Sequence, residues 1–301
     1  MSKKFLFSLI IVLLITNIAT IILLGDGDDE TTVLPDKEEN IDVEKPAATI
    51  NGENISYEAW MKSLRSEYGQ MQLKQMIDHT LVEQLAEEKN IEISEKIIDR
   101  ELAQLVSIGG VMSAEETKKW KEKWREDIIY RFQLETLLTE GVSIPEEEIQ
   151  SFYDKYKNQY DFSERFQISH IIVKDLATAE KVKAELDEGA SFNLLAKEYS
   201  IDEETREDGG YLGYFVSTSQ FIPHGYKDIV QDMEPYSYSD PVEIGKRVAI
   251  VYVHQTLPEI SFTYEEMKPY VKNELALDQM DQNLNAQPLW NNADIEWVYE
   301  D

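Results

Sequence analysis

Cysteine is absent from this sequence. That excludes disulfides, zinc–thiolate sites, thiol nucleophiles and a lipidated N-terminal cysteine. Basic residues are scarce: 29 Lys and Arg stand against 59 Asp and Glu, a formal charge of −30. A phosphate backbone is bound by basic patches that release counterions, so this balance argues against nucleic acid as a partner. It argues equally against attachment by anionic lipid alone. Histidine is rarer still. His79, His170, His224 and His254 are far apart, no pair has metal-ligand spacing, and a structural zinc site is not expected. The patterns GxxxxGK[ST], GxSxG and HExxH do not occur. The residues imply no metal and no cofactor, and nothing announces bond-breaking chemistry.

What is present is enough to fold. The chain has 301 residues, 42% of them hydrophobic and 10% aromatic. At roughly 150 residues per domain this suggests about two soluble domains. The one long apolar run stands at the start. After Lys3 and Lys4, the twenty residues from Phe5 to Leu24 carry no charge. At ~1.5 Å per residue such a helix covers about 30 Å, the thickness of a bilayer core. No A-x-A-like cleavage pattern follows, so the segment reads as an uncleaved anchor rather than a cleaved signal. Either way the lysines hold the short N-terminus inside and place the rest outside the cytoplasm. Residues 25–46 are an acidic linker that cannot bury enough surface to order itself. Its Asp26-Gly-Asp-Asp cluster lacks EF-hand spacing and reads as a solvated spacer.

From Ala47 the pattern predicts a strand, a turn at Asn51-Gly52, a return strand and a helix capped at Ser56. Trp60, Leu64 and Tyr68, then Met76, Ile77, Leu81 and Leu85, form an apolar face running to about Lys89. A helix starts at Ser94. Ser113 with Glu116 fits a capping box opening a helix with Trp120, Trp124, Ile128 and Phe132 on one stripe. That stripe is either core or part of a hydrophobic cradle for unfolded chains. Pro145 followed by three glutamates marks another helix start. Residues 47–160 therefore read as mostly helical.

The pattern changes near Phe162. FQISHIIV (166–173) reads as a buried strand, followed by helices over 177–188 and from Phe192, and a loop SIDEETREDGG. YLGYF, a short helix near Tyr226, and strands at 241–244 and 248–253 complete an α+β domain of four strands over 161–260. Thr263 with Glu266 caps a last helix, so 261–301 is a C-terminal helix and tail that can return to the helical domain.

FQISHIIV, GASFNLLAKEYS, GGYLGYF, and PVEIG with its following apolar strand, in this order and near this spacing, resemble a parvulin-type peptidyl-prolyl isomerase. Upstream, ATINGENISYEAW and its helices resemble the N-terminal chaperone region of PrsA- and SurA-like foldases. The uncharged segment without a lipidated cysteine is similar to the non-lipidated, YacD-like branch. The resemblance covers roughly residues 47–285. It implies a helical chaperone domain joined to a parvulin domain with a four-stranded antiparallel sheet. It also implies an activity that needs neither metal nor cofactor. Partners would be newly exported polypeptides with Xaa-Pro bonds, and a homodimer is left open.

Carried over residue by residue, His170 matches the first parvulin histidine, which tunes a hydrogen-bond network under the groove. Asp202 falls where parvulins carry Cys or Asp facing the substrate amide. Phe221 matches an apolar residue lining the proline pocket, and Tyr226 replaces a second with an offset of one. Each has a plainer alternative: a satisfied buried histidine, a solvated loop acid, ordinary core aromatics. One departure stands out. The second parvulin histidine falls on Val248 or Ala249, and His254 lies too far along the strand to replace it. Ile244 sits where a hydroxyl is common. Either His170 has another partner, or the network is simplified and turnover is low. The resulting readings are a membrane-anchored extracytoplasmic isomerase and foldase, or a non-catalytic holdase with a degenerate parvulin domain.

Overall fold

The computed structural model describes residues 41–280, 284–291 and 293–299. The expected anchor, Phe5 to Leu24, and the linker up to residue 40 lie outside the described residues. Among the described residues no helix is long and apolar enough to cross a membrane. The described residues form two compact units, one of residues 41–89 with 285–291 and 293–299, the other of residues 90–280 and 284.

In the first unit, β1 (Pro46–Ile50) and β2 (Glu53–Ser56) form an antiparallel hairpin. Asn51 and Gly52 both take positive φ (53° and 89°), as a two-residue hairpin turn requires. Ser56 then caps α1 (Tyr57–Leu64), its hydroxyl accepting from the Ala59 amide at 3.1 Å. A π-helical turn, Arg65–Gly69, separates α1 from α2 (Gln70–Glu88). Neither α1 nor that turn has a buried residue, so the predicted apolar face is not one buried stripe. Leu81 is buried, whereas Trp60, Tyr68 and Met76 are exposed. The tail returns to α2: Trp290 Nε1 donates to Asp78 at 2.6 Å, and Lys74 stands 5.3 Å over its ring.

The second unit joins four helices to a sheet. They are α3 (Glu95–Ile108), α4 (Ala114–Leu138), α5 (Glu146–Tyr160) and, later in the chain, Tyr264–Met280. Ser113 and Glu116 form the predicted capping box at α4, worth about 1 kcal/mol. Trp124, Ile128 and Phe132 are buried with Ile98, Val106 and Val271, so this part of the tryptophan stripe is core.

β3 (Arg165–Val173) is buried along almost its whole length. The reason is its position: it is an inner strand with cover on both faces, so even Gln167, Ser169 and His170 are buried along with its apolar residues. On one face Ile171 and Val173 pack on α6 (Leu176–Asp187) and α7 (Phe192–Tyr199). On the other, Phe166 and Ile168 pack on α8 (Tyr226–Val230). β3 pairs antiparallel with β4 (Tyr211–Val216) and, across its other edge, with β7 (Arg247–Leu257). The outer edge of β7 pairs with β5 (Ser237–Tyr238) and β6 (Val242–Ile244). The sheet thus has five strands rather than four, although it is four rows wide. Its fourth row is broken between Tyr238 and Val242, and there Ser239 Oγ accepts from the Val251 amide at 3.0 Å.

Candidate functional site

Three elements converge on His170. The residue lies in the middle of β3, opposite Val251 of β7, and is 5% exposed. Its amide donates to the Gly210 carbonyl at 2.8 Å. Gly210 has φ +77°, and a side chain there would collide with the His170 carbonyl oxygen, so β4 can start this close only with glycine. Below the ring lies α8, and beside it the loop from Ser200 to Thr205.

The imidazole is satisfied at both nitrogens. Nε2 lies 2.7 Å from Asp202 Oδ2 and 3.2 Å from Thr205 Oγ1, while Nδ1 lies 2.8 Å from the Tyr226 hydroxyl. Thr205 Oγ1 donates to the same Asp202 oxygen at 2.6 Å. Burial alone would raise the Asp202 carboxyl, but the hydrogen bonds from Thr205 and His170 outweigh it and hold it below its ordinary value. An ionised carboxylate only accepts, so Nε2 carries the proton and Nδ1 accepts from Tyr226 O–H. Burial pushes the His170 imidazole down, against the pull of Asp202, which keeps the ring neutral. Burial and the nearby Asp202 charge push the Tyr226 phenol up, so it remains a donor. Leu212, Phe215, Ile222 and Met233, all partly buried, pack on the cluster holding Tyr226. The arrangement is a polarised, neutral-ring network beside an apolar surface. Among the described residues no group of acids and histidines could hold a metal.

The family model described as the PPIC-type PPIASE domain matches residues 144–269. YacD of Bacillus subtilis (strain 168) is 34% identical over 253 residues, covering 84% of this chain and 85% of the relative. The chain belongs to the PPIC-type peptidyl-prolyl isomerase family. The foldase protein PrsA of Geobacillus kaustophilus is 30% identical over 237 residues, 77% of this chain and 78% of the relative. The crystal structure of PrsA from Bacillus subtilis aligns with 85% of this chain and 95% of its own, at 23% identity and a TM-score of 0.33.

Of the four residues singled out for a PPIC-type site, His170, Asp202 and Tyr226 share one hydrogen-bonded cluster. Tyr226 is 1% exposed, so its ring belongs to the core and its hydroxyl to the network. Phe221 is 79% exposed, in the loop before α8, and joins no part of that cluster. Val248 and Ala249 are both buried and apolar. The Tyr226 hydroxyl is the partner that His170 has in the absence of a second histidine. His254 goes elsewhere. β7 carries one extra residue opposite Gln167 and Ile168, and this bulge directs His254 Nε2 to Ser169 Oγ at 2.8 Å. Burial pushes that imidazole down to about 4. Sequence reasoning passed over Thr205, although a threonine three residues after Asp202 in a loop is a recognisable side-chain turn. It also passed over Leu212, Phe215, Ile222 and Met233, for which no local pattern separates groove from core.

Proposed function

We propose that this chain is an extracytoplasmic foldase, held at the membrane by Phe5 to Leu24, that binds Xaa-Pro segments of exported polypeptides and speeds their isomerisation. In this reading the helical region 47–160 holds the client and the parvulin region 161–260 acts on the prolyl bond. The observation that carries it is the complete hydrogen bonding of His170 by Asp202, Thr205 and Tyr226 beside an apolar surface.

Rotation about an Xaa-Pro bond meets a barrier of roughly 20 kcal/mol, while the two isomers differ by only about 1 kcal/mol. Planarity is held by resonance that places negative charge on the carbonyl oxygen and positive charge on nitrogen. Twisting removes that charge separation. A fixed carboxylate facing the carbonyl oxygen, with the proline ring against apolar side chains, destabilises the planar amide more than the twisted one. Asp202 is the carboxylate in this scheme. His170 and Thr205 position it and keep it ionised, Tyr226 fixes the imidazole tautomer, and Phe221 covers the proline ring from its exposed loop.

The test is the rate of isomerisation of a short Xaa-Pro peptide with the full chain in detergent micelles. Acceleration is expected, with a loss of about tenfold or more on Asp202→Asn. Suppression of aggregation with no acceleration would replace this reading with a non-catalytic holdase.

A further inference from the structure

On the other face of the sheet, where the first turns of α4 meet the edge of β7, lies an open cavity of about 440 Å³. Gln255 lines it, and Gln255 sits opposite Gln167, whose side chain points away from the His170 face. Along β7 it is four residues from Val251, about 13 Å at ~3.3 Å per residue. The cavity is therefore separate from the network described above.

Two features mark it as built. The first is its aromatic wall. Tyr236 lines the cavity in a left-handed conformation, φ 61°, which a bulky residue adopts only when its surroundings demand it. Its amide donates to the Val253 carbonyl at 2.7 Å, and its hydroxyl accepts from Gln255 Nε2 at 3.1 Å. Gln255 Nε2 also donates to Thr117 Oγ1 of α4 at 2.6 Å, which ties the wall to the helix. The second is charge. Lys118, Lys121 and Arg125 line the cavity against a single acid, Glu122. Arg125 is engaged by Glu95 at 2.5 Å, but Lys118 and Lys121 have no ion pair among the described residues. In a chain with twice as many acids as bases, two lysines facing one acid leave a net positive charge over an apolar hollow, and that attracts what the rest of the surface repels.

We propose that this cavity binds an acidic, extended stretch of an unfolded polypeptide. Its carboxylates would meet Lys118 and Lys121, and an intervening apolar side chain would lie against Leu102, Pro235 and the Tyr236 ring. It deepens the foldase reading by naming a class of client segment and a second anchor remote from the prolyl site.

The experiment is fluorescence anisotropy with a labelled, proline-free peptide that alternates acidic and apolar residues, set against its Asn/Gln counterpart, on the full chain in detergent micelles. The acidic peptide is expected to bind at least tenfold more tightly, with affinity falling as salt is added. Lys118→Gln with Lys121→Gln should remove the preference without changing the turnover of a short Xaa-Pro substrate. Lys118→Glu with Lys121→Glu should reverse it. Equal binding of the two peptides, or a preference that survives both double variants, overturns the proposal. So does displacement by soluble glycerophosphoglycerol, which would assign the lysines to a lipid headgroup instead. If the chain shows no isomerase activity yet keeps the lysine-dependent preference, the isomerase reading fails and the second anchor stands.

Discussion

The Tyr226 hydroxyl donates to His170 Nδ1 across 2.8 Å, joining α8 to the central strand of the sheet. Both residues are buried, so neither atom has water as an alternative. Tyr226→Phe keeps the ring and removes only the donor. Leaving one buried acceptor unpaired costs about 1–3 kcal/mol. Without that donor the imidazole can turn or change tautomer, which loosens its hold on Asp202. The expected outcome is a lower urea midpoint with unchanged m, and a clear fall in kcat/KM for a short Xaa-Pro substrate. Full activity in Tyr226→Phe would show that the network's tautomer does not matter.

Gly210 sets how closely β4 approaches the back of His170. Its φ of +77° lies where L residues are strained, and a methyl group would strike the His170 carbonyl oxygen. The collision is with main chain, which cannot swing aside. Gly210→Ala is therefore expected to cost on the order of 2–4 kcal/mol, from left-handed backbone plus overpacking. Gly189→Ala is the control: it has φ +93° but open space around it, so it carries the backbone strain alone. Thermal unfolding of the two variants should separate them, and equal shifts would remove the steric term.

Much of this fold is written locally. Asn51-Gly52 specifies a hairpin turn, Ser113 with Glu116 a helix start, and the β-branched run of β3 a buried strand, because in each case the deciding interactions fall within a few residues. Tyr226 shows where such reading stops. The family resemblance brings it to the candidate site, but whether it presents a ring to a groove or a hydroxyl to the core depends on how α8 docks on the sheet. The bulge at His254 is equally invisible, since one unpaired residue in β7 is defined only by its partners on β3. Trp60 and Tyr68 have helical spacing yet are exposed, because spacing marks an apolar face without saying whether anything packs on it.

Acid should weaken the fold in a defined window. Burial holds the His254 imidazole at about 4, whereas an unfolded histidine takes up its proton near 6.5. Below about pH 6.5 the unfolded chain binds a proton that the folded chain refuses, so stability present above that value is lost as pH falls towards 4. His170, also lowered by burial, acts with the same sign. Asp202 follows lower down, its contribution fading as pH falls below the ordinary carboxylate range near 4. Glu135, which burial pushes up to about 7, acts in the opposite sense. The clean measurement is thus a difference. His254→Gln should flatten the fall in stability between pH 6.5 and 4 by up to about one proton, read from urea midpoints at a series of pH values. An unchanged slope would mean that His254 titrates alike in both states.

Restoring the missing histidine should not help. Ala249 is fully buried, pairs with Ile172 across β3–β7, and belongs to the same cluster as Tyr226. An imidazole there must displace neighbours that fill the space, at about 1–3 kcal/mol for overpacking. It would also find His170 Nδ1 already bonded to Tyr226, and so add a second buried polar group with no partner. Ala249→His alone is expected to lower stability and leave turnover no higher. Combined with Tyr226→Phe, the new imidazole has a vacant acceptor to meet. The double variant should then recover part of the kcat/KM lost in Tyr226→Phe, a coupling that a double-mutant cycle reads directly. Additive losses would mean that the tyrosine hydroxyl and a second histidine are not interchangeable partners of His170.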